Sequence, residues 1–243
     1  MLLNGKLACV EPPINPYPPL LSLAVHELRT PASVVGGYLR MLQKDQNPAM
    51  SERQLHMIDE AEKSCARLVA IVAELSEIGK LDSGVVRFAQ RPFDLFSLLG
   101  ELAELVHEGG DRNVHLKVVG PPDGAPMSGD PARLQTAFQA IFRAILREKA
   151  GPGTVIVDRR RVTRDGQLTA VVVVADESDV QAVYGSSPAV FDEQRGGLGV
   201  TLPLARRVIE GHGGRIWAPE PGADEARARG SAVIELPITE SKL

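Results

Sequence analysis

His26 is followed by a carboxylate at Glu27 and, four residues on, by the hydroxyl of Thr30, within the run HELRTP. A neutral imidazole near its reference pKa of about 6.5 is a competent nucleophile toward phosphorus at physiological pH. A carboxylate on its other nitrogen orients the ring and stabilises the positive charge that develops. On a helix Thr30 shares a face with His26, and Glu27 is close enough to approach one ring nitrogen. Pro31 removes the amide that would bond the carbonyl of Glu27, so the helix is loosened or bent directly beneath the histidine. A lone exposed helical histidine is ordinarily a solvated surface residue. The carboxylate, the hydroxyl and the proline together make this one a candidate phosphoryl carrier.

That constellation needs a helix under it. Leu21, Leu28, Val35 and Leu42 recur every seven residues, with Ala24, Val25, Tyr38 and Leu39 beside them, which predicts a helix over about 20–44. Leu21 and Leu28 define its buried seam, and at about 100° per residue His26 lies roughly 160° from Leu28, toward solvent. Residues 11–19, EPPINPYPP, are too proline-rich for a regular helix, so 1–19 reads as an extended leader. DQNP at 45–48 is a turn, and Ser51 with Gln54 forms a capping box that opens a second helix. Leu55, Ile58, Cys65, Leu68, Leu75 and Ile78 continue it to about 82–84. A lone helical hairpin leaves its apolar seam in water, so a second copy is the natural cover: a homodimeric four-helix bundle.

After Gly84 the pattern changes to short β-type runs alternating with helices. Strands are expected over 85–89, 114–119, 154–162 and 168–176, near Arg215 and over 232–236, with helices over about 94–107, 131–149 and 199–211. The fold class is α+β: a hairpin domain over 20–84, then a two-layer α/β sandwich over 85–243 with mostly antiparallel strands. The balance of 27 basic against 31 acidic residues is too mild for a nucleic-acid binder driven by phosphate contacts. Cys9 and Cys65 stand apart from each other and from other ligands, which argues against a disulfide framework or a zinc site. The sequence holds no apolar run near the length of a membrane span and no secretory signal pattern, so a cytoplasmic location is expected.

The run His26 to Pro31, early in the first helix of a hairpin, resembles the phosphoacceptor motif of two-component sensor histidine kinases. That resemblance implies that His26 is phosphorylated, that Glu27 is its acid/base partner, and that Thr30 positions water when a response regulator is dephosphorylated. Residues 85–238 resemble the ATP-binding domain of the same family, a Bergerat-type fold. Gly129-Asp130-Pro131-Ala132-Arg133-Leu134 is similar to the entry to its nucleotide-site helix. Asp176 stands where the family binds the adenine amino group, and Gly196-Gly197-Leu198-Gly199 with the helix and turn behind it resembles the second glycine box. The implied cofactors are ATP and Mg²⁺, with Asp176, Gly197 and Gly199 as nucleotide-binding residues, and the implied partner is a response regulator receiver domain.

The sequence departs from that pattern at chemically important places. Ala140 and Ala144 stand where the family has two asparagines, the second of which helps hold Mg²⁺, so no metal ligand is expected there; Glu148 or Asp130 remains as a ligand from another turn. The first glycine box reads Asp176-Glu177-Ser178-Asp179-Val180, without its glycines, the third glycine of the second box is Thr201, and only Phe191 is similar to the aromatic anchor of the family's lid. The reading is a phosphotransferase or phosphatase acting through His26 with an impaired ATP site. A fully active ATP-dependent autokinase and a non-catalytic pseudokinase scaffold stay open as alternatives.

Overall fold

In the computed structural model, residues 17–44, 50–108, 110–164, 166–221 and 225–239 are described. Two long helices come first, α1 (Tyr17–Lys44) and α2 (Glu52–Asp82). The expected turn at 45–48 lies outside the described residues, as do residues 1–16 of the expected leader. Tyr17, Pro18 and Pro19, which the sequence reading placed in that leader, instead form the first turn of α1. Proline is tolerated there because first-turn amides have no helical acceptor. The capping box at the start of α2 is present: Ser51 Oγ accepts from Gln54 N–H, and Gln54 Oε1 accepts from Ser51 N–H at 2.8 Å.

The hairpin is sealed from within by small residues. Val25, Gly36, Cys65 and Val72 are buried between the helices, and the Cys65 thiol donates to the Ala32 carbonyl at 2.9 Å. The apolar seam that a second copy is expected to cover stands open in the single chain: Leu28 is 53% exposed and Leu68 57% exposed, and Val35 and Leu42 are exposed as well. The seven-residue repeat marks an apolar face of α1 that α2 does not cover. Leu21 belongs to the same repeat, but its side chain lies outside the described set.

Behind the hairpin, a six-stranded sheet runs in the order β2 (Val114–Val119), β4 (Gly153–Arg164), β5 (Gln167–Asp176), β8 (Ala232–Pro237), β7 (Arg215–Pro219) and β6 (Pro188–Ala189). Among the described strands only β2 and β4 pair parallel; the remaining neighbours are antiparallel. Helices α3 (Leu95–Leu105), α4 (Pro131–Glu148) and α6 (Thr201–Gly211) bury Leu99, Phe138, Ile141, Ile145, Leu202 and Ile209 against Val157, Val172, Val174 and Ile234. Val171, Val173 and Ala175 point the other way, into a smaller cluster with Ile156 and Val180 and Val183 of α5 (Val180–Tyr184). Burial on both faces explains why β5 reads as an unbroken apolar run rather than an alternation.

Two expectations fail in the segment that joins hairpin to sheet. Residues 85–89 form no strand; the strand is β1 (Arg91–Asp94), paired antiparallel with β3 (Pro126–Gly129) in a separate ribbon. Its partner lies about thirty-five residues downstream, so local pattern could not reveal it. Asp94 is the cap of α3 rather than its first residue, accepting from Phe96, Ser97, Gly124 and Ala125 amides at 2.8–3.1 Å.

The α/β unit rests on the last turns of α2. Arg133 pairs with Glu77, Arg207 grips Asp82 with two bonds of 2.6 and 3.0 Å, and Thr201 Oγ1 donates to Glu74 at 2.9 Å. At the foot of this contact the His212 ring lies 4.6 Å from that of Phe88. Its Nε2 accepts from Asp130 N–H at 2.9 Å, which leaves the proton on Nδ1, 2.7 Å from the Val208 carbonyl. Burial holds the imidazole below its ordinary value of 6.5, outweighing the Val208 bond and the attraction of Asp130. Between the two values an unfolded chain binds a proton that the folded one does not, so stability falls as pH drops below about 6.5. Urea midpoints measured from pH 7.5 to 5.5 are expected to decline over that range, and His212→Gln to flatten the slope.

Candidate functional site

His26 stands on the outer face of α1 with its side chain 77% exposed, beside Glu27 at 71%. The Glu27 carboxylate lies 3.5 Å from His26 Nδ1, and among the described residues none bonds Nε2 of this exposed ring. Thr30, one turn on, is exposed on the same face, and Pro31 sits inside α1 as the sequence indicated. Along the neighbouring groove Leu28, Pro31, Val35, Leu39, Cys65 and Leu68 line an apolar hollow of about 490 Å³ between α1 and α2.

A second concentration of chemistry lies at the C-terminal end of α4, in a cavity of about 360 Å³ bordered by Ile145, Glu148, Lys149, Val155, Asp176 and Arg227. Of the three residues assigned to nucleotide by resemblance, only Asp176 borders this cavity; Gly197 and Gly199 do not. Asp176 already accepts from Lys149 and from Ser178 N–H and Oγ, which hold its carboxyl below the usual range although burial pulls the other way. Ala140 and Ala144 are buried in α4, and the turn at Gly196 packs directly on Ala144. A Cβ placed on Gly196, whose φ is +66°, would come within 2.7 Å of Ala144 Cα.

The carboxylates that could have replaced the asparagines are committed elsewhere. Glu148 accepts from Gly196 N–H at 2.7 Å and from Arg229 at 3.1 Å, and these partners hold it ionised against the penalty of burial. Asp130 caps α4, accepting from the amides of Arg133 and Ala89 and pairing with the Arg133 guanidinium at 3.2 Å. Neither offers an open oxygen set to a cation, and among the described residues the donors at this cavity therefore do not fit the Mg²⁺ of a metal-bound triphosphate. Among the described residues His56, Asp59 and Glu60 also converge, but Lys63 neutralises both carboxylates at 2.7 and 2.9 Å.

Sequence reasoning passed over Lys149, Arg195, Arg227 and Arg229. Arg195 is 1% exposed, and its guanidinium reaches the carbonyls of Asp192, Ala228, Arg229 and Ser231 while lying 4.1 Å over the Phe191 ring. Its position immediately before Gly196-Gly197 was the available signal. Arg229 gives none, because its partner Glu148 lies 81 residues away.

Residues 20–84 match the His Kinase A (phospho-acceptor) domain. Over 234 residues the chain is 27% identical to the sensor protein GacS of Pseudomonas syringae pv. syringae, an alignment covering 85% of this chain and 23% of that protein. The hairpin therefore belongs to the His Kinase A (phospho-acceptor) domain family, and the chain as a whole is similar to two-component sensor histidine kinases. The chain spans about a quarter of the length of GacS. Among solved structures, full-length ShkA in complex with AMPPNP superposes with a TM-score of 0.66 at 18% identity, covering 92% of this chain and 46% of that one. The histidine kinase ThkA in complex with the response regulator protein TrrA superposes with a TM-score of 0.52 at 19% identity, covering 93% and 63%. At these identities the likeness is one of fold, and it extends to both the hairpin and the sheet. Among the described residues no helix is long and apolar enough to cross a membrane.

Proposed function

We propose that this protein exchanges a phosphoryl group between His26 and an aspartate of a response regulator, without Mg²⁺·ATP supplied by its own α/β unit. The observation that carries this reading is the exposed imidazole whose Nδ1 lies beside the Glu27 carboxylate. With the proton on Nδ1 and drawn toward Glu27, the Nε2 lone pair attacks the phosphorus of an aspartyl phosphate. The new N–P bond forms as the P–O bond to the aspartyl carboxyl breaks, and the carboxylate leaves with the electron pair. The phosphorylated ring is cationic with Nδ1 still protonated, and the adjacent Glu27 carboxylate stabilises that charge. An aspartyl phosphate is a mixed anhydride, so the step requires from this chain only an oriented, accessible imidazole.

The loss of a metal ligand at Ala140 and Ala144 does not touch that step, whereas it removes the chief stabiliser of charge in transfer from a nucleotide. ATP would supply a γ-phosphoryl group only where phosphates and cation can be held together, and the carboxylates near the cavity are already bonded within the chain. ThkA is described as bound to its response regulator TrrA, which supports a receiver domain as the partner class. The deciding experiment is incubation of this protein with a phosphorylated receiver domain, followed by assay for acid-labile phosphate on His26.

The partnerless apolar face of Leu28, Val35 and Leu42 with Leu68 supports a homodimer through a four-helix bundle. Leu28→Asp, which places a charge in that face, is expected to convert a dimer to a monomer in sedimentation at micromolar concentration. A wild-type protein that sediments as a monomer there would overturn this part of the reading.

A further inference from the structure

Between β7 and β8 the chain forms a short helix, α7 (Glu225–Arg229), whose Arg227 lines the cavity at the end of α4 and whose Arg229 reaches Glu148 at its border. Arg227 pairs with Asp179 at 3.1 Å and Arg229 with Glu148 at 3.1 Å, while Lys149 pairs with Asp176 from the α4 side. We propose that α7 is a strap that closes this cavity in place of a bound ligand. It fastens the 195–199 turn to α4, so that the pocket excludes polyphosphates with or without a divalent cation. The proposal rests on the reading that His26 does not draw its phosphoryl group from this cavity.

Three observations converge on it. The first concerns the backbone that could cradle a phosphate. Gly196 N–H already donates to Glu148 Oε1 at 2.7 Å, and Gly196 O accepts from Arg147 at 3.2 Å, so both of its polar groups are bonded within the chain. The second is mechanical. Arg195, next along the turn, is anchored to the carbonyls of Ala228 and Arg229 in α7 and of Ser231 just beyond it, so the turn and the strap are bonded to each other as well as to Glu148. One carboxylate, Glu148, thus bridges the end of α4, the turn and α7.

The third is electrostatic. Among the described residues Lys149, Arg227 and Arg229 pair with Asp176, Asp179 and Glu148, and the charge of Arg195 also acts on Glu148. A polyphosphate entering this paired set would have to take cations from carboxylates and leave those carboxylates uncompensated in a partly buried place. A divalent cation would find the carboxylates occupied and only alanine at the buried turns of α4. Gly196 seated on Ala144 leaves no room for a ligating side chain at that turn of α4.

Hydrogen exchange on the full-length chain tests the strap independently of any phosphoryl transfer. Amides of 195–199 are expected to exchange at the same rate with no addition, with millimolar ATP and EDTA, and with millimolar ATP and Mg²⁺. Arg227→Gln/Arg229→Gln is expected to speed exchange there by about tenfold or more while leaving β5 and β8 protected. Slower exchange of 195–199 in wild type on adding ATP overturns the proposal, and so does a double variant whose 195–199 amides exchange as slowly as in wild type. Should the double variant open β5 and β8 as well, the wild-type titration decides alone: protection by ATP refutes the strap, and an unchanged rate supports it. Loss of phosphotransfer at His26 with these outcomes intact would sink the proposed function and not the strap.

Discussion

His26→Ala is expected to abolish acquisition of acid-labile phosphate from a phosphorylated receiver domain, because the exposed Nε2 is the only nucleophile the proposed step uses. Both His26 and Glu27 project into solvent, so neither substitution should disturb the fold. Glu27→Ala removes the carboxylate that orients the ring and balances its positive charge, and transfer should slow by about 10²- to 10⁴-fold, the range for a positioned acid/base group. Thr30→Ala should behave differently. By resemblance Thr30 places an attacking water, so its loss is expected to spare transfer to His26 while slowing net hydrolysis of the receiver's phosphate. The measurement is a time course of labelled phosphate on both proteins. Wild-type transfer by His26→Ala across a panel of receivers would refute the phosphotransfer reading and leave the scaffold alternative in its place.

Arg195→Ala should give the largest loss of stability in the α/β unit. The guanidinium is buried with its pKa lowered by desolvation to about 10, so it remains charged at neutral pH. It bonds four carbonyls, and its removal leaves these acceptors and the face of Phe191 against a cavity. Large-to-small truncation combined with loss of charge-assisted bonds costs about 3–5 kcal/mol. For a chain of this size that lowers the thermal midpoint by about 10 °C, readable by calorimetry. Arg195→Lys, which keeps the charge but cannot span four carbonyls, should fall between the two. A midpoint within a degree or two of wild type for Arg195→Ala would show that the turn is held by Glu148 and the Gly196 contact alone.

What the sequence made legible is what depends on neighbours in the chain. The seven-residue repeat and the Ser51/Gln54 box are local, and they delimit α1 and α2 closely. The face that carries His26 follows from helix geometry alone. Asp130 before Pro131 announces α4 by the same local rule, and the valine run of β5 is unbroken because both faces of the strand are covered. The exposure of Leu28 in the single chain has an equally physical origin. Periodicity identifies an apolar face but not the surface that covers it, and here α2 covers the adjacent one, through Val25 and Gly36. The β1/β3 ribbon depends on a partner far along the chain, and the strap depends on Arg229 meeting a glutamate 81 residues before it. Alanine at 140 and 144 could be seen as a missing ligand, but not that Gly196 packs on the second of them.

The mooring of the α/β unit on α2 also bears on traffic at His26. Cys65 bonds the Ala32 carbonyl, which sets the two antiparallel helices level there and places His26 roughly opposite residue 71 of α2. At 1.5 Å per residue, Glu74 and Glu77, which hold Thr201 and Arg133, lie only about 5 and 9 Å further along the axis. The α/β unit is therefore a neighbour, along the axis, of the turn that carries His26, and would act as a gatekeeper for whatever docks there. Because its hold rests on paired charges with partial exposure, ionic strength weakens it. A receiver arriving at His26 would then meet a wider approach in high salt than in low, and its on-rate reports where the gatekeeper stands.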